Sequence, residues 1–181
     1  ASAFELASIP WVAVKGPVLA QRHYALWHQR SYGDLDVLVP PRRFAEALEV
    51  LTDLGAVPMD RNWPLMRQQR RAEMGWDLAH GTRLDLHWNL VPEPDNYRHF
   101  KIDTDEVLGR RADLLVDDGW GLPALDAADE LIHLCVHAAI AGGKGGGKPH
   151  MAQAGIPDAS RIADALAAVE SVVKSQLSAK K

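Results

Sequence analysis

The sequence has a single cysteine, Cys135, so no internal disulfide framework can be built. Its position in an apolar helical run predicts a buried thiol. No apolar run is long enough to span a bilayer, and no secretory pattern opens the chain. The lack of an initiator methionine points to a processed or trimmed chain, and cytoplasm is the expected compartment. Positive charge is not in excess either. Twenty Lys and Arg against 24 Asp and Glu leave a formal net charge of -4, which gives no support for a broad nucleic-acid surface. The cluster Arg67, Arg70 and Arg71 reads as a solvated face. A true P-loop is missing as well. Gly142 to Lys148 runs G-G-K-G-G-G-K, but Pro149 follows where a Ser or Thr should hold magnesium, and the stretch comes after a helix rather than a strand. It reads as a flexible linker. What is present is apolar content: 47% of 181 residues, enough for a sizeable soluble core.

The most informative stretch is Trp11 to Val39, which reads as strand, tight turn, helix, loop and strand. Asp34 and Asp36 open the second strand at alternate positions. Strand side chains alternate faces, so both carboxylates project to one side while Leu35 and Val37 enter a core. Two carboxylates held this close repel unless a cation lies between them. That chemistry suits Mg²⁺ or Mn²⁺ beside a polyphosphate. An isolated Asp-x-Asp is more often a solvated strand end; the surroundings tip the balance. Lys15-Gly16 ends the preceding strand and Gly16-Pro17 opens a helix, where a bare backbone and a helix N-terminus favour a phosphate. Arg30, just ahead of the acids, can offer a forked contact to phosphate oxygens.

Further along, Thr82 to Leu90 reads as a strand, joined at His80-Gly81 to an antiparallel partner over Gly75 to Ala79. Leu84, Leu86 and Trp88 share one face; Arg83, Asp85, His87 and Asn89 share the other. If the first face is core, Asp85 and His87 look into a cleft with Asp34 and Asp36. Asp85 could instead be an exposed acid paired with Arg83. His87 could orient Asp85 or a phosphate, or be a half-buried structural histidine.

V-A-V-K-G-P-V-L-A, then R-S-Y-G-D-L-D-V-L-V, then D-L-H-W at Asp85 to Trp88 resembles, over Trp11 to Ala139, the bacterial uncharacterised nucleotidyltransferase group of the polymerase-β superfamily. The resemblance implies an α+β fold, a mixed and mostly antiparallel sheet with helices packed on one side, and a helical segment ahead of the Lys-Gly turn, of which Ala1 to Ser8 would be the end. It implies catalytic and metal-holding roles for Asp34, Asp36 and Asp85, and substrate-binding roles for Lys15, Gly16, Arg30, Ser31 and His87. The expected partners are an NTP and an unidentified hydroxyl acceptor: a small molecule, a protein or an RNA 3′ end. The expected reaction is transfer of a nucleoside monophosphate to that acceptor with release of pyrophosphate. The alternative is a catalytically silent binding or accessory module that keeps the fold.

The remaining elements follow local signals. A first strand is expected over Ile9 to Val14 and a helix over Arg42 to Leu54, with Pro41 at its first turn and Gly55 at its end. A short strand is expected at Ala56 to Met59, a weak helix after Trp63-Pro64, a loop over Val91 to Lys101 and a short helix over Asp103 to Arg111. One last strand is expected near Asp113 to Val116, with Asp117-Asp118-Gly119 as a turn. Asp126 caps a helix over Ala127 to Ala141. His133 and His137 share a face of it, yet without a third ligand they do not make a zinc site. These signals divide the chain into a nucleotidyltransferase-like domain at 1–141, the linker at 142–150, and a helical appendage at 151–181, fused or added after His150.

Overall fold

In a computed structural model of the chain, residues 2–92, 94–97, 100–116 and 119–141 are described. The chain divides into two compact units, Ala1–His133 and Leu134–Lys181. The first carries the sheet and the candidate site. Of the second, only the closing turns of one helix fall within the described residues.

The elements run α1 (Ser2–Leu6), β1 (Val12–Val14), α2 (Gly16–His23), β2 (Asp34–Leu38), α3 (Phe44–Asp53), β3 (Val57–Pro58), α4 (Trp63–Gln69), β4 (Glu73–Asp77), β5 (Arg83–His87), α5 (Thr104–Gly109), β6 (Ala112–Leu115), β7 (Gly121–Ala124) and α6 (Ala127–Ala141). The strands form one sheet in the order β3-β4-β5-β2-β1-β7-β6. β1–β2, β3–β4, β4–β5 and β6–β7 are antiparallel, while β1–β7 and β2–β5 are parallel. This is the mixed, mostly antiparallel α+β arrangement expected from the sequence.

Register follows from which side of each strand is apolar. Ala13, Val37, Leu86 and Met74 line up across β1, β2, β5 and β4. Together with Leu84 and Trp76 they form the buried face, against which α1 places Phe4, α3 places Phe44, Ala47 and Leu51, and α4 places Met66. On the opposite face Val12, Val14 and Leu38 meet Val107 and Leu108 of α5, with Leu90 and Leu125. That second cluster covers one end of the face and stops short of Asp34. Asp103 caps α5 by accepting from the Asp105 and Glu106 amides, and Gly55 takes the left-handed conformation after α3 (φ 77°).

Three expectations need correction. β1 is three residues long and β5 ends at His87, because past that point the backbone pairs irregularly: Val39 N–H donates to the His87 carbonyl and Trp88 N–H to the Ala72 carbonyl. The last region is a hairpin of two strands rather than one. β7 is needed to flank β1, although its Gly121 and Pro123 are poor strand formers. Cys135 is exposed, because α6 turns Asp129, Glu130 and His133 inward and leaves Ile132 outside. His137's side chain, residues 117–118 of the expected turn, the linker and the appendage lie outside the described residues. Among the described residues no helix is long and apolar enough to cross a membrane.

Candidate active site

The site begins where β1 ends. Three buried residues carry the chain to Lys15, whose backbone is left-handed at φ 52°, ψ -128°. This conformation is costly for a residue with a Cβ. It turns the chain sharply into α2, whose first residue is Gly16, with Pro17 in the first turn. Gly16 has little room: a Cβ there would stand 3.3 Å from the Asp34 carbonyl and 3.6 Å from the Tyr32 ring. Arg30 fastens the turn from the other side, its guanidinium donating to the Gly16 carbonyl at 3.3 Å.

β2 and β5 then bring the acids together. Their parallel register pairs Asp36 with Asp85 and Leu38 with His87. On the far side of β5, antiparallel β4 pairs Gly75 with Asp85 and Glu73 with His87. Asp34, Asp36, Asp85, His87 and Glu73 therefore share the face opposite the main core. Asp36 is buried, and its Oδ1 accepts from Lys15 Nζ and from His87 Nε2–H, both at 3.0 Å. His87 is also buried, and its other ring nitrogen lies 3.8 Å from Glu73 Oε2. His87 thus engages Asp36, not Asp85. Asp34 and Asp85 are half-buried, and the nearby Arg83 approaches Asp77 rather than Asp85, at 3.9 Å. Ser31 is exposed beside Tyr32.

The two paired acids are driven apart electrostatically. Burial alone would raise the Asp36 carboxyl, but the His87 hydrogen bond and the Lys15 ammonium outweigh it and hold the group at about 2. Asp85 moves the other way. Burial raises it, His87 pulls it back, and the charges of Asp36, Glu73 and Asp34 push it up. The charges of Asp36, Glu73 and Asp34 thus all bear on Asp85.

Magnesium or manganese fits this donor set. Both take hard carboxylate oxygens, and neither Asp34 nor Asp85 has a hydrogen-bond or ion-pair partner among the described residues. As the side chains stand, no group of three or more His, Cys, Asp and Glu is closed to metal-holding geometry among the described residues; Asp36 faces Lys15 and His87 instead. A separate cavity of ≈ 690 Å³, lined by Glu5, Trp11, Arg111 and Asp113 among others, includes none of the acids.

Sequence reasoning missed several contributors. Gly75 leaves room for Asp85: a Cβ there would stand 3.2 Å from its Oδ1 and 3.0 Å from Met59 Sδ. A glycine inside a strand is the signal that could have found it. Glu130, in the first turn of α6, accepts from Arg22 at 2.8 Å and from His23 Nε2–H at 2.7 Å, fixing the end of α2. Asp129 accepts two bonds from Arg110, each 3.0 Å.

Solved structures share the fold. The solution structure of the antibiotic-resistance factor ANT(2'')-Ia aligns over 98% of this chain and 89% of its own with a TM-score of 0.56 at 14% identity. A crystal structure of ANT(2'')-Ia with adenylyl-2''-tobramycin aligns over 97% and 93% with a TM-score of 0.55 at 13% identity. At such identities the likeness is one of fold alone. Residues 1–149 match the family described as uncharacterised nucleotidyltransferase, and the chain belongs to that family. A second match, to the DHHA1 domain, covers residues 128–175. A stretch of 69 residues is 48% identical to the alanine–tRNA ligase of Methanospirillum hungatei, and one of 40 residues is 55% identical to that of Clostridioides difficile. These stretches are 38% and 22% of this chain, but only 7% and 5% of the ligases.

Proposed function

We propose that the chain is a metal-dependent nucleotidyltransferase that moves a nucleoside monophosphate from an NTP to a hydroxyl acceptor and releases pyrophosphate. The observation that carries this is the in-register pairing of Asp36 with Asp85, with Asp34 two residues back on the same face. Asp34, Asp36 and Asp85 would hold Mg²⁺ or Mn²⁺, which neutralises triphosphate charge and activates the acceptor oxygen. Gly16 opens α2, whose N-terminus would receive the phosphates. Lys15 and Arg30 place cations beside them, and Ser31 offers a hydroxyl to a phosphate oxygen. His87 fixes the Asp36 carboxylate in one orientation.

In the transfer itself, a bond forms from the acceptor oxygen to the α-phosphorus. The bond from that phosphorus to the bridging oxygen breaks, and pyrophosphate leaves with the electron pair. The acceptor's proton passes to Asp85, which has no hydrogen-bond or ion-pair partner among the described residues. Catalysis of this kind depends on positioning and charge neutralisation more than on covalent chemistry. The reading takes 1–141 as the catalytic domain, 142–150 as a linker and 151–181 as an appendage, in a cytoplasmic protein.

The test is a set of labelled NTPs with Mg²⁺ or Mn²⁺, offered to RNA, small hydroxyl compounds and cell protein. Transfer RNA is included on account of the likeness to alanine–tRNA ligases. Label should move to one acceptor class with release of pyrophosphate, and Asp34→Asn should abolish transfer while leaving the melting temperature nearly unchanged. If calorimetry detects no binding of any Mn²⁺–NTP, the chain is an accessory module instead.

A further inference from the structure

The reading above gives Lys15 to the phosphates, yet its ammonium is 3.0 Å from Asp36 Oδ1. The two partners differ in access. The Lys15 side chain is 23% exposed and the Asp36 side chain 5%, so the ammonium lies on the open side of a carboxylate otherwise enclosed by buried His87. Among the described residues, Arg30 and Arg83 are engaged elsewhere: Arg30 donates to the Gly16 carbonyl and Arg83 approaches Asp77. Lys15 also occupies the left-handed turn that feeds α2. It therefore stands between the acids and the backbone where a triphosphate would lie.

Resting on the proposed function, we infer that Lys15 is a resident counter-ion. It holds Asp36 against free divalent ions and moves to the triphosphate when nucleotide arrives, so that the site admits metal and nucleotide together and discriminates against the metal alone. The physical basis is like-charge repulsion. A dication at Asp36 would share one carboxylate with an ammonium a few ångström away, and the half-buried setting screens this poorly. A triphosphate gives the ammonium a stronger partner and relieves the conflict. The flexible four-carbon stem of lysine can make that move.

The experiment is titration of the full chain with Mn²⁺, reading free ion by electron paramagnetic resonance, with and without a non-hydrolysable NTP. Wild type should bind Mn²⁺ weakly alone and tightly with nucleotide. Lys15→Met should bind Mn²⁺ alone about tenfold tighter than wild type, because the competing charge is gone, and should bind the metal–nucleotide pair more weakly. Lys15→Gly, which suits the left-handed backbone, should show the same gain and decides the matter if the Met variant does not fold. The inference is overturned if wild type takes up the metal–nucleotide pair but neither variant gains affinity for Mn²⁺ alone. It is also overturned if wild type binds the free ion as tightly as the pair. If wild type binds no Mn²⁺–NTP at all, the transferase reading itself fails, which is a separate result.

Discussion

Asp36 and Asp85 are partners across β2 and β5, yet their protonation equilibria oppose each other. Asp36 is held at about 2, below its ordinary 3.8. It therefore contributes stability that is present above pH 4 and lost as pH falls toward 2, worth about 2 kcal/mol by linkage. Asp85 is raised, so its ionised form is disfavoured in the fold and its charge costs stability at neutral pH. Denaturant melts from pH 5 to pH 2 should show the Asp36 contribution draining away, and the Asp36→Asn variant should lose that part of the slope. Asp85→Asn should be at least as stable as wild type at pH 7 while losing at least about a hundredfold in turnover. A less stable Asp85→Asn would mean that the carboxylate has a structural partner. At this scale the pair Asp34 and Asp36 was legible because alternation in a strand is local. That His87 bonds Asp36 rather than Asp85 was not, since it depends on the register of two strands separated by β3, β4 and two helices.

Among the elements, β4 and α6 carry consequences that residue types alone conceal. β4 passes Gly75 directly beside Asp85, and the sheet there has room for an acid only because a hydrogen replaces a side chain. Gly75→Ala should leave secondary structure intact and reduce turnover by about tenfold or more, since displacements of well under an ångström at reacting groups are costly. Circular dichroism alongside steady-state rates would check it, and an unchanged rate would show that Asp85 tolerates displacement. α6 was expected as an apolar helix, but it buries its acidic residues. Asp129 and Glu130 point inward because Arg110, Arg22 and His23 meet them there. Glu130→Gln should destabilise the fold by about 3 kcal/mol, because it leaves the half-buried Arg22 without its counter-charge; urea unfolding measures this. β7 escaped notice for a related reason. Glycine and proline argue against a strand locally, and only the need to flank β1 overrides them.

For the molecule as a whole, the fold class and the family were readable because one motif-bearing half-sheet specifies both. Lys15-Gly16, Asp34-x-Asp36 and Asp85-Leu86-His87-Trp88 all fall within the family match over residues 1–149. The strand order was not readable, because β1, second among the elements, is flanked on one side by β7 from more than a hundred residues further along. The Arg22–Glu130 pair shows the same distance, joining residues 108 positions apart.

That span has a bearing on how the protein emerges from a ribosome. Synthesis runs from the N-terminus, so the helix behind the lysine turn waits for its clasp until residue 130 has been made. β1 likewise waits for β7 before it is flanked on both sides. The half of the sheet bearing the acids can assemble early, but its innermost strand stays open on one edge through most of translation. A nascent chain halted near residue 110 would present that edge to the cell, and holding factors would be expected to bind it there.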